Sequence, residues 1–178
     1  MQSRSVSRIE PPQSARAAGD GCWDVMMLGF NMMHQVARSG LLPKTMENNI
    51  GTLIMFAVRN LFSVPGKLQQ TMRDLAAEDR VPGWLAETDD PLGFLVHPED
   101  GGAESVIEAA YRYARHEPGA DVVLFGTGKI GHLEANIASI LKPPLPAADT
   151  APRPPNTNST MINITIMCII IIIIIIII

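Results

Sequence analysis

The sequence predicts an α/β fold in which parallel strands alternate with helices, and three observations carry that expectation. Short apolar runs recur, "WDVMMLGF" at 23–30, "GTLIMFAV" at 51–58 and "DVVLF" at 121–125, each the length of a strand buried on both faces. Segments of helical period separate them. The last run leads through a glycine-rich turn, "GTGKIG", straight into an amphipathic stretch.

Taken in order, Trp23 to Phe30 reads as a buried parallel strand. "LLPKTMENN" follows, with Pro43 near the start of a helical turn and the Asn48-Asn49 pair as its stop. Gly51 to Val58 is the second strand. From Pro65 to Glu78, the apolar residues Leu68, Met72, Leu75 and Ala76 fall at the i, i+4, i+7, i+8 spacing of an amphipathic helix. "DDPLGFLVH" suggests a further helical segment, capped by Asp89 or Asp90 and tolerating Pro91 in its first turn. Ser105 to His116 is expected as a helix with Ile107, Ala110, Tyr111 and Ala114 inward, ended by "EPG" at 117–119. Asp121 to Phe125 is the third strand, and "KIGHLEANIASIL" continues as a helix with Ile130, Leu133, Ile137, Ile140 and Leu141 on one face.

The ends of the chain differ in composition from this middle. Residues 1–21 carry arginines, serines and Pro11-Pro12 without an apolar core, which excludes a secretory signal and reads as a disordered lead-in. A mitochondrial presequence is the lesser reading, because the proline pair would interrupt its amphipathic helix. Residues 142–160 are rich in Pro, Thr and Asn and read as an extended linker. Residues 161–178 form an apolar low-complexity tail ending in ten isoleucines. Such a run is expected first as a translated simple repeat. As a helix it would span roughly 27 Å against a hydrocarbon core of about 30 Å, so a tail anchor is the second reading. Outside a membrane, an uncharged β-branched segment is prone to aggregate. The sequons at Asn158 and Asn163 carry little weight without a secretory route.

Charge and cysteines narrow the function classes. A formal net charge of −4, with the 14 Lys and Arg scattered, leaves no basic footprint for nucleic acid. Cys22 and Cys168 lie far apart with no metal-ligand spacing around them, which suits a reducing, cytoplasmic setting. His34, His97 and His116 share no metal-site spacing and read as surface or capping residues. Met26, Met27, Met32 and Met33 read as core fillers, and Tyr111 as packing.

Gly126, Gly128 and Gly131 have the G-x-G-x-x-G spacing of a dinucleotide loop, and the unsatisfied amides of the following helix favour an anion. A Rossmann unit would need another strand and an acid about 20 residues on. Here the helix runs into "KPPLPAAD", so that reading fails, and Ile130 after Lys129 excludes a P-loop. A strand-helix unit that ends a domain and keeps a phosphate site fits the last unit of a (β/α)8 barrel. The runs "VVLFGTGKIGHLEANIASI" with "PPLP", "WDVMMLGFNMMHQ" and "NIGTLIMFAVR" resemble the C-terminal part of an aldo/keto reductase of the sugar- or aldose-dehydrogenase-like group, over residues 22–141 and into the prolines that follow. The resemblance implies a partial (β/α)8 TIM barrel holding its last three strand-helix units.

The same resemblance implies that Gly126, Thr127, Gly128, Lys129 and His132 contact the phosphates of NADP(H), and that Asn136 addresses the adenine, although Ala135 stands where the family places an acid. It puts Met27 where a glutamine would meet the nicotinamide amide, and Met55 or Phe56 where an aromatic packs on that ring. The family's catalytic tyrosine, lysine, aspartate and histidine lie on the first half of its barrel, and no tyrosine here sits in such a segment. The expected function is therefore a truncated NADP(H)-dependent oxidoreductase domain whose family takes small-molecule carbonyl or sugar substrates, inactive alone and without catalytic or metal-binding residues. A non-catalytic NADP-binding or tail-anchored interaction module is the alternative, with membrane contact only through 161–178.

Overall fold

The computed structural model describes residues 5–7, 11–79 and 83–150. The expected tail at 161–178 and the second half of the expected linker lie outside the described residues. The chain divides into two compact units, one of residues 1–57 with 110–144, the other of residues 58–109 with 145–178.

The first unit is built on a four-stranded parallel sheet whose spatial order follows the chain: β1 (Ser5–Ser7), β2 (Val25–Gly29), β3 (Gly51–Met55) and β4 (Val122–Val123). Between β1 and β2 runs α1 (Pro11–Ala17), and between β2 and β3 lie α2 (Val36–Gly40) and α3 (Leu42–Glu47). After β3 come α4 (Asn60–Ser63), α5 (Lys67–Ala77) and α6 (Trp84–Glu87) of the second unit. α7 (Val106–Arg115) then leads back to β4 and α8 (Ile130–Leu141), and α9 (Ala147–Thr150) closes the described chain.

Two expectations about the ends are corrected. The lead-in expected as disordered over 1–21 holds β1, which pairs Ser5–Ser7 with Val25–Met27, and α1. Pro11 and Pro12 open α1 rather than break it, because the first turn of a helix needs no amide donor. The nearer part of the expected linker is also structured. The buried Arg112 guanidinium donates to the carbonyls of Pro143 (2.8 Å) and Pro144 (3.0 Å), so a proline run with no donors of its own is held by its acceptors.

The sheet is covered on one face only, which corrects the expectation of strands buried on both. Register sets Met26 beside Thr52, and Leu28, Ile54 and Val123 in one row, and all five are buried. The alternate residues, Val25, Met27, Leu53 and Met55, are only half-buried, and Val122 is 46 % exposed. A strand's side chains alternate between faces, so this is one dry face and one half-open face. β3 is also shorter than the expected strand at 51–58. It ends at Met55 because Phe56 turns into the left-handed region, φ 64°.

The core around the dry face is closed by Phe30, Met32 and Leu42, with Thr45 buried and its hydroxyl satisfied by the Leu42 carbonyl at 2.9 Å. Tyr113 stacks on Phe30 at 5.8 Å between centroids, and the Arg38 guanidinium lies over both rings. That guanidinium also forks onto Glu117, Nε to Oε1 at 2.7 Å and Nη2 to Oε2 at 2.5 Å, and this hydrogen-bonded pair raises its already high pKa.

In the second unit, α5 buries Met72 and Leu75 as its spacing predicts. The helix expected from "DDPLGFLVH" is instead a pair of short 3₁₀ turns, Gly93–Leu95 and Pro98–Asp100. Asp90 accepts from the Leu92 amide at 3.3 Å, but Leu92 holds the N-cap position and no side chain caps the first turn, and Pro98 and Gly101, the latter at φ 80°, stop any longer run. The His97 ring lies against the backbone of Gly102, where an added Cβ would meet it at 2.6 Å, and its Nε2 contacts the buried Asp149 at 2.9 Å. Among the described residues no helix is long and apolar enough to cross a membrane.

Candidate functional site

Because all four strands are parallel, their C-terminal ends share one edge of the first unit's sheet, the edge at which barrel and open α/β folds place their ligand loops. Three loops leave that edge: residues 30–35 after β2, 56–59 after β3 and 124–129 after β4. Two hydrogen bonds extend the ladder to this edge, from the Phe30 amide to the Met55 carbonyl and from the Leu124 amide to the Ile54 carbonyl.

Asn31 organises the edge, and nothing in the sequence reading singled it out. Its side chain is 2 % exposed. Oδ1 accepts from the Met33 amide at 2.8 Å and the His34 amide at 2.9 Å, while Nδ2 donates to the Phe56 carbonyl at 2.9 Å. The bond to Met33, two residues on, is an Asx-turn, so an Asn placed directly after a strand was the available signal. Phe56, expected to pack on a ring, presents a side chain 51 % exposed from a backbone in the left-handed region, which costs a non-glycine residue roughly 1–2 kcal/mol. Met27 and Met55 are half-buried on the half-open face of the sheet.

The loop after β4 holds the other expected residues. Gly126, Thr127, Gly128 and Lys129 are all exposed, and within the loop the Lys129 amide donates to the Thr127 hydroxyl at 3.2 Å. None of Gly126, Gly128 and Gly131 has a positive φ, and a Cβ built on any of them would meet nothing within 4 Å. The fold itself therefore gives no steric reason for these glycines. α8 begins after Lys129 with no side-chain cap and no acid in its first turn, so the amides of Ile130, Gly131 and His132 precede the first intrahelical bond, from Leu133 to Lys129. His132 is exposed and Asn136 half-buried, one turn apart on one face of α8.

The tyrosines serve packing. Tyr111 meets Phe125 edge-on at 6.0 Å, and burial raises its hydroxyl pKa, the reverse of the tuning that a proton-donating tyrosine beside a lysine requires. His116 Nε2 lies 2.9 Å from the Lys142 carbonyl at the end of α8, a capping contact. Among the described residues no group of three His, Cys, Asp or Glu could hold a metal ion.

A parallel sheet whose strands follow chain order, with helices between them, is a mixed α/β arrangement consistent with part of a (β/α) barrel. A solved structure bears on this: the chain is similar to the aldo-keto reductase AKR11C1 from Bacillus halodurans in its holo form, with a TM-score of 0.52 and 18 % sequence identity. The likeness covers 83 % of this chain and 47 % of that one, so the chain spans about half the length of the reductase it matches, and what the two share is the fold. No family model matches the chain, and no curated protein matches it.

Proposed function

We propose that this chain carries the cofactor-phosphate portion of an NADP(H)-dependent oxidoreductase of aldo-keto reductase type, one whose complete form acts on an aldehyde, ketone or aldose in the cytoplasm. The observation that supports it most is the loop after β4, where three glycines without a steric need lead into an uncapped helix at the ligand edge of the sheet. A glycine that its own fold does not demand leaves backbone open to close approach by a ligand. Amides at a helix start, beside the Lys129 ammonium, suit phosphate oxygens.

In this reading Gly126, Thr127, Gly128 and Lys129 hold the phosphates, His132 flanks them, and Asn136 lies one turn further along α8 for the adenine. NADPH when bound supplies a hydride. The half-exposed Phe56 ring offers an apolar surface at the same edge, and Met27 and Met55 offer packing without hydrogen bonds. In this reading the tyrosine, lysine, aspartate and histidine that the family uses have no counterparts among the described residues, and the chain by itself binds without turnover.

Titrating NADPH against the full 178-residue chain by its fluorescence tests the reading. Saturable binding that weakens at least about tenfold in Gly126→Glu and in Lys129→Ala is expected, with no aldehyde-dependent loss of NADPH absorbance. An absence of binding at millimolar NADPH would refute the phosphate assignment, and turnover would refute the inactivity.

A further inference from the structure

Three surfaces of the first unit lack a cover among the described residues, and one partner would supply it for all three. The sheet ends at β1 on one side and β4 on the other, each with a single neighbour. Its second face, carrying Met27, Leu53 and Met55, is half-open. The apolar stripe of α8 faces solvent, with Ile130 at 75 %, Ile137 at 44 % and Leu141 at 78 % exposure and no buried residue in the helix.

The handedness of parallel connections relates these surfaces. A helix following a strand packs over the groove between that strand and the next one in the sheet. α8 follows β4, and no next strand is present among the described residues. Val122 and Val123 of β4 with Ile137, Ile140 and Leu141 of α8, together with the charged Arg115 and Asp121, line an open cleft of about 240 Å³.

We propose that two copies of this chain associate about a two-fold axis, β4 of each pairing in parallel with β1 of the other, to close an eight-stranded ring. Four parallel strands in chain order are half the number that closes a barrel of this kind. A two-fold operation satisfies both free edges at once, since the edge opposite β4 is itself a parallel strand of the same polarity. The two half-open faces become the interior, and each α8 settles over the partner's β1. The exposed parts of Ile130, Leu133, Ile137, Leu141 and Val122 alone amount to roughly 500 Å², at the upper end for an apolar patch on a monomer. A stable dimer needs ~800 Å² per partner, to which the edges and the inner faces would also contribute. The proposal rests on the sheet and α8, independently of the cofactor reading.

Sedimentation equilibrium of the full chain tests it first, with a species of twice the 19.3 kDa chain mass expected at tens of micromolar. Ile130→Glu with Leu141→Glu changes two side chains that already face solvent, so the protomer's circular dichroism should hold while dimerisation weakens at least about 30-fold. In a background with Cys22→Ser and Cys168→Ser, Val122→Cys should cross-link between chains to a cysteine placed at Ser5, Val6 or Ser7. A monomeric wild type, an assembly indifferent to the α8 changes, or no cross-link between chains overturns the proposal. So does a chain that gains mass only when mixed with the first four strand-helix units of a reductase, which would assign the face to the rest of a longer barrel.

Discussion

The Asn31 side-chain amide donates to the Phe56 carbonyl at 2.9 Å, and this one bond joins the loop after β2 to a backbone held at φ 64° after β3. Removing it releases both ends. Asn31→Ala strands the buried Met33 amide along with the Phe56 carbonyl, and a loss of about 2–3 kcal/mol is expected in urea unfolding. Asn31→Asp keeps an acceptor for Met33 and His34 but cannot donate when ionised, so it should also destabilise. If Asn31→Asp matched wild type, the bond to Phe56 would be without energetic weight.

Phe56 offers a comparison of two truncations. Phe56→Ala and Phe56→Gly both remove the ring, yet only glycine adopts φ 64° without strain. The glycine variant should be the more stable of the two by about 1 kcal/mol. Equal stabilities would mean that the backbone relaxes out of the left-handed region once the ring is gone.

β4 is held to β3 at its start by a reciprocal pair: the Thr52 amide donates to Asp121 Oδ2 at 2.7 Å, and the Asp121 amide donates to the Thr52 hydroxyl at 3.0 Å. The Thr52 hydroxyl also reaches the Gly119 carbonyl. Thr52→Val preserves the shape of this buried residue and removes the hydroxyl, so a loss of about 1–3 kcal/mol is expected, with slowed hydrogen exchange at Leu124 lost first.

The alkaline limb of stability should report Tyr111. Burial raises its pKa above the ordinary 10.0, so the folded state holds its proton more tightly than the unfolded chain. That contribution is complete below pH 10 and is lost as pH climbs through the folded value. Urea midpoints measured from pH 8 to 11 should fall at the upper end in wild type and fall less in Tyr111→Phe. Arg38 has a raised pKa too, but an arginine loses its proton far above this range.

In the second unit, Gly102→Ala drives a methyl into the His97 ring, 2.6 Å from the new Cβ, and must displace the ring from Asp149. A destabilisation of about 1–3 kcal/mol is expected by thermal unfolding. An unchanged midpoint would show that the ring can move aside without cost.

The strands at 25–29 and 51–55 and the helices at 67–77, 106–115 and 130–141 were legible because their apolar spacing is strong and local. β1 was not, since three residues of "SVS" have no periodicity to read and owe their strand state to pairing with Val25–Met27. The turns at 93–100 were misread as a helix because an Asp cap and a proline signal a start without saying how far it runs. At the site, the glycine loop could be read from its spacing, whereas Asn31 and the backbone of Phe56 depend on a contact between residues 25 apart. The exposure of the α8 stripe was equally hidden, because periodicity shows that a face is apolar and not whether anything covers it.

The pairing of β3 with β4 bridges residues 69 apart in sequence, whereas β2 and β3 meet across a much shorter connection. Chain entropy then assigns an order to assembly. The β2–β3 ribbon can form early, and β4 must wait until the intervening segment has been gathered in. The penalty for that longer excursion grows only logarithmically, by about 0.6 kcal/mol per doubling, so a flexible insertion between β3 and β4 is expected to change the equilibrium little. The rate at which the sheet is completed is where such a change would be felt.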